Sequence, residues 1–186
     1  MKLSVHKALL AYGVTALLGS VTATAQTSVS VEAVADIVEG IALQRTADLN
    51  FGDISPSAAA GGTVIVSPLG IRTSTGSVTL INNAANPAQA AAYNVLQLTN
   101  AGNKKFWIQL PPNGTVAISS GSGTMDVNDF TASRPCAQTG ATPPGPGACD
   151  QVAPGTTLEV GATLIVGANQ PVGLYSGTFN VTVHRF

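Results

Sequence analysis

Most of this sequence is built from short stretches in which apolar and polar side chains alternate, each halted by Gly, Pro or Asn. Successive side chains of a strand point to opposite faces, so a period of two puts one apolar face against a core. The clearest case is 158–166: Leu158, Val160, Ala162, Leu164 and Val166 fall on one face, Glu159, Gly161 and Thr163 on the other. Residues 63–67 follow Gly61 and Gly62 and stop at Pro68, and 77–81 end at Asn82 and Asn83. Residues 92–99 place Tyr93 and Val95 on one face and Leu96 and Leu98 on the other. Further strands are expected at 105–110, ended by Pro111 and Pro112, at 116–118, at 125–130 and along 173–186. In the last of these Phe179, Val181 and Val183 face inward, while Thr178, Asn180, Thr182 and His184 face out. Residues 84–92 are an alanine-rich connection with room for a short helical turn. Short strands at short intervals with such turns predict an all-β sandwich.

The first residues belong to a different category. Lys2, His6 and Lys7 precede a short, interrupted apolar run that ends at Ala23, Thr24 and Ala25, the pattern of a secretory signal peptide occupying 1–25. The run is too short and broken for a membrane span, and nothing later in the chain is long and apolar enough for one. A mature chain beginning at Gln26 is long enough for one domain with a sizeable core, assigned to 41–186. No cysteine lies near the cleavage site to carry a lipid, and no long apolar N-terminal helix is retained, as a type IV-style pilin would require.

All nine acidic residues follow Ala25, whereas two of the eight basic ones precede it, so the mature chain is net acidic and sparsely charged. That balance argues against nucleic acid or anionic lipid as partner. It suits a surface that meets other protein surfaces. Cys136 and Cys149 both survive cleavage, and in an exported protein they are most simply one disulfide, worth about 3 kcal/mol by loop closure. The proline- and glycine-rich sequence between them is suited neither to helix nor to an interior strand.

Catalytic patterns are missing. The mature chain has one histidine, His184, read as an exposed strand residue, and no glycine-flanked nucleophile elbow or phosphate-binding loop. The oxygen-rich stretch 126–129, with Asp126 and Asp129, lacks the spacing of a calcium loop. Phe106 and Trp107 are adjacent and must face opposite ways, so one of them is expected in the core rather than both in a sugar-stacking platform. The C-terminal Phe186 is not a barrel signature, because His184, Thr182, Asn180 and Thr178 make its face polar. No cofactor is implied, and the chain is not expected to be an enzyme.

One segment has no evident place. Residues 28–37 alternate, with Val29, Val31, Ala33, Ala35 and Ile37 on one face. Helical spacing also fits 31–43, through Val31, Val34, Ala35 and Val38, but the flanking Ser, Thr and Val favour strand. The extension is assigned to 26–40.

Three motifs carry a family resemblance: 47–54 (ADLNFGDI), 64–72 (VIVSPLGIR), and 160–166 (VGATLIV) followed by 173–183 (GLYSGTFNVTV). From about Ile41 onward the chain resembles the pilin-like bacterial family known as domain of unknown function 4402. More distantly it is similar to the major subunits of archaic chaperone–usher pili. The resemblance implies an immunoglobulin-like sandwich lacking its last strand. It also implies a periplasmic chaperone, an outer-membrane usher and neighbouring copies as partners, and a final location at the cell surface or in an extracellular fibre. By the same analogy Val29, Val31, Ala33, Ala35 and Ile37 form a donor strand, and Phe179, Val181 and Val183 line one wall of an acceptor groove. The extension could instead pair within its own domain, giving a self-contained secreted sandwich that binds a glycan or matrix ligand.

Overall fold

The computed structural model describes residues 41–97, 105–134, 136–143, 145 and 155–185. They fall within one compact unit, Ile37–Phe186. Every regular element among them is a strand: β1 (Ile41–Ala47), β2 (Ile54–Pro56), β3 (Gly62–Val66), β4 (Arg72–Gly76), β5 (Val78–Leu80), β6 (Ala91–Gln97), β7 (Phe106–Leu110), β8 (Val116–Ser119), β9 (Thr124–Ala132), β10 (Ala137–Thr139), β11 (Thr157–Val166) and β12 (Thr182–Arg185). Among the described residues no helix is long and apolar enough to cross a membrane.

The long strand β11 organises the fold. Val160 pairs with both Ala91 and Ala132, and Leu164 with both Val64 and Val127. Strand β9 therefore runs along one edge of β11, while β6 and then β3 share the other. With β1 beyond β6, β4 beyond β3 and β8 beyond β9, this makes a curled, antiparallel seven-stranded sheet. A three-stranded sheet, β10-β7-β12, and the pair β2-β5 complete the fold.

The alternation read from the sequence is realised in β11. Leu158, Val160, Ala162, Leu164 and Val166 are all essentially inaccessible to solvent and form one core with Val64, Val66, Val127, Ile108 and Leu110. The opposite face is less open than its polar composition suggests, since Thr163 is buried too. Gly161 lies where the edge of β11 passes from β6 to β3. A Cβ there would run into the backbone of Val66, Ser67 and Pro68, so only glycine fits without moving the chain.

Three local expectations change. Residues 173–186 do not form one strand. Ser176 makes a single bridge to Ser119 of β8, and the ladder resumes at Thr182, opposite Gln109 of β7. The last segment thus passes from one partner to another, and among the described residues 177–181 belong to no ladder. His184 is not an exposed strand residue. The β12-β7 register sets it opposite Trp107, so the two rings stack at 4.3 Å between centroids and Nε2 lies 2.8 Å from the Gln109 Oε1. Phe106 and Trp107 are both buried, and the His184 ring of the neighbouring β12 lies stacked against Trp107.

The remaining differences are smaller. The sequence after Cys136 forms a short strand, β10, only at a sheet edge, which its unsuitability for an interior strand allows. The 84–92 connection holds a hydrogen-bonded turn, Asn86 N–H to Asn83 C=O, in place of a helical turn. Cys149 lies outside the described residues, and its pairing with Cys136 with it.

Candidate binding cleft

A cleft of about 680 Å³ opens between the first and last parts of the domain. One wall is 48–54, the other 173–177 with Phe179, and the floor is Val116, Ile118, Met125, Val127 and Leu164. The floor is apolar because β8 and β9 alternate: Val116, Met125 and Val127 are buried, whereas Asp126 and Ala117 are exposed. Phe179 packs on Phe130 with ring centroids 4.9 Å apart, so this wall is anchored in the core. Leu174 and Ile81 also line the cleft yet remain 88% and 44% exposed, which marks its mouth as apolar and open to solvent.

Up to Ile54, where β2 begins its pairing with β5, the 48–53 part of this wall is held by a polar network and one bridge. Asn50 pairs with Gln89 through two backbone hydrogen bonds of 2.8 Å, and Phe51 drops into the core. Gly52 takes φ +70, and a Cβ there would collide with the Arg72 guanidinium. That guanidinium donates to the carbonyl oxygens of Phe51, Asp53 and Ile81 at 3.1, 3.1 and 2.8 Å. The Asp53 carboxylate accepts from Asn83 at 2.6 Å and from Asn86 at 2.5 Å, and Asn86 in turn accepts from Asn50. The conjunction of Asn50, Phe51, Gly52 and Asp53 with Arg72 in the sequence motifs is thereby accounted for: together they fix one lip of the cleft. Replacing Arg72 by Ala removes a charged donor from three carbonyls. It is expected to lower stability by about 1.5–3 kcal/mol in denaturant unfolding.

Hydrogen bonds from Asn83 and then Asn86 hold the Asp53 carboxyl below the ordinary carboxylate range; a partial loss of hydration opposes them, and Arg72 adds a smaller lowering effect. A carboxyl lowered on folding stabilises the fold above its unfolded value, about 3.9, and that contribution is lost as pH falls through the folded value. Acid titration of the wild type should therefore show a loosening of 48–54 below about pH 4 that Asp53→Asn does not share, measured by amide exchange at Asn50 and Ile81.

Of the groove residues expected from the sequence, Phe179 lines the cleft. Val181 and Val183 pack on the same core but lie further along the chain, outside the lining. Val29, Val31, Ala33, Ala35 and Ile37 lie outside the described residues. The sequence reading did not assign 48–54, the β8-β9 floor or 173–177 to the site. The motif 47–54 was the available signal, since a Phe-Gly-Asp run with no alternation calls for a reason other than sheet burial.

An all-β domain with an apolar cleft between its first and last segments is what these residues define. The chain belongs to the family described as Domain of unknown function (DUF4402), whose profile matches residues 41–184. No curated protein and no solved structure matches the chain.

Proposed function

We propose that the protein is an exported structural subunit of a bacterial surface fibre. In this reading the domain is an immunoglobulin-like sandwich short of one strand, and a strand from a neighbouring copy completes it. The observation that carries the reading is the cleft. It has an apolar floor, an exposed apolar mouth, and beside it a stretch, 177–181, that belongs to no ladder among the described residues. Strand addition uses these elements: backbone pairing supplies affinity and alternate side chains enter pockets. The alternating segment with Val29, Val31, Ala33, Ala35 and Ile37 is the donor. A groove of this kind left empty is an aggregation hazard, which gives a periplasmic chaperone and an outer-membrane usher their roles as partners. The signal-peptide pattern at 1–25 and the lack of a catalytic constellation in the sequence agree with an exported, non-enzymatic subunit.

The test is a synthetic peptide of residues 28–37 added to the mature protein. It should cap polymers and shorten SDS-resistant ladders. Phe179→Ala, which removes a ring from the cleft wall, should raise the capping concentration about tenfold or more. Purified mature protein that stays monomeric and stable at high concentration, and ignores the peptide, would instead support a self-contained ligand-binding sandwich.

A further inference from the structure

Resting on the strand-complementation reading, we infer that the turn at 170–174, centred on Val172, is the surface on which the next subunit's domain sits. Val172 is 92% exposed and Leu174 88%. Both project from a turn fixed by hydrogen bonds. Gln170 Nε2 donates to the Thr124 carbonyl at 3.2 Å and to Tyr175 Oη at 2.9 Å, and that hydroxyl donates to the Pro171 carbonyl at 2.7 Å. Beneath it Gly123 leaves no room for a Cβ. Two neighbouring apolar side chains are therefore presented to water on a rigid turn.

The position of this turn gives it meaning. The two cleft walls run in opposite directions: β1 and β12 approach each other near one end, and the Asn169 amide donates to the Ser57 carbonyl at 3.1 Å near the other. Ile54 and Gly173 thus share one end of the cleft, Asp48 and Phe179 the other. Ile81 and Leu174, the exposed large apolar side chains of the cleft lining, lie towards the Ile54 end with Val172 beside them, whereas the exposed Leu69 and Ile71 stand on the β3–β4 turn outside the lining.

Chain length then selects the occupant. Only Val38, Glu39 and Gly40 separate Ile37 from the start of β1 at Ile41. Four residue steps span at most about 14 Å, so the domain that owns a donor must lie against whichever end of the cleft the donor leaves. A second copy whose donor exits at the Ile54 end places its own domain over Val172. Its donor then runs parallel to 48–54 and antiparallel to 173–179. A chain using its own segment would have to enter beside its own Ile41, at the Asp48 end, and would leave Val172 uncovered.

The test uses the full mature chain with Val172→Asp and Val172→Ile, neither of which alters a cleft-lining residue. Dissociation of preformed polymers is followed by loss of SDS-resistant ladders, and capping by the free 28–37 peptide, which carries no following domain, is measured in parallel. The expected result is about tenfold faster dissociation for Val172→Asp, wild-type dissociation for Val172→Ile, and an unchanged capping concentration for both. Val172→Asp polymers that dissociate at the wild-type rate, while the peptide still caps them, would overturn the assignment of this surface. A peptide that caps none of the three proteins would overturn the strand-complementation reading itself.

Discussion

Mature protein lacking residues 26–37 should form no polymer, yet its domain should be stabilised when the 28–37 peptide is supplied. This is the largest effect expected of any change to the chain. The proposed donor segment carries two valines and an isoleucine in alternating positions, with two alanines between them. Burying the three large side chains at about 1.5–3 kcal/mol each, with a little from the alanines, contributes roughly 5–10 kcal/mol as an upper estimate. That corresponds to an affinity change of about four to seven orders of magnitude, before any backbone pairing is counted. The domain should remain foldable, because Leu158, Val160, Leu164, Val64 and Val66 pack into one core drawn from β3 and β11. Free peptide should raise its melting midpoint in a concentration-dependent way, as any ligand of the native state does. Ladders that persist in the deletion mutant would refute the donor assignment.

Gly161→Val should leave almost no folded protein, by circular dichroism and by yield. Position 161 is in the middle of β11, the one strand paired with β3, β6 and β9. A side chain there meets carbonyl and amide atoms of Val66, Ser67 and Pro68. Flexible side-chain tips could swing aside, but these are backbone atoms, and β3 must shift to admit even a methyl group. Overpacking costs about 1–3 kcal/mol where the surroundings can relax. Here relaxation also breaks ladder pairs around the most buried strand, so the loss should exceed about 3 kcal/mol, a large part of a typical domain's stability. Gly161→Ala should show the same effect in weaker form. By contrast, Gly70→Ala meets no atom within 4 Å, and its cost should be only that of the φ of +73.

Periodicity made the interior of the fold legible. The five alternating residues of β11 are buried as their spacing requires, and β3, β6, β7, β8 and β9 lie within a residue or two of their expected places. Strand β4 was missed because Arg72, Thr73, Ser74, Thr75 and Gly76 carry no apolar alternation; it is a polar edge strand defined by pairing with β3. The break in the last strand was equally invisible. Phe179, Val181 and Val183 keep a period of two throughout, and the change of partner from β8 to β7 depends on strands far away in sequence. His184 was misjudged for a related reason: a polar side chain opposite a tryptophan is covered, and only the register reveals what stands opposite.

The candidate site divides in the same way. Phe179 could be found from alternation, since it is an inward residue of a strand-like segment. The other lip could not. Asn50, Asp53, Arg72, Asn83 and Asn86 come together across sequence separations of up to 36 residues through side-chain hydrogen bonds, and no local pattern encodes such a network. The motif that contains them signalled only that something beyond burial constrained these positions.

The central claim is that the cleft receives a strand from a different copy of the chain. It is tested most directly by placing a photoreactive residue at position 33, polymerising an equal mixture of isotopically light and heavy mature protein, and sequencing the cross-links to the cleft walls by mass spectrometry. The account predicts cross-links from position 33 to 48–54 and 173–179 in which light and heavy chains are joined as often as like chains. Cross-links found only within chains of one isotope would contradict it, and would make the segment each domain's own final strand.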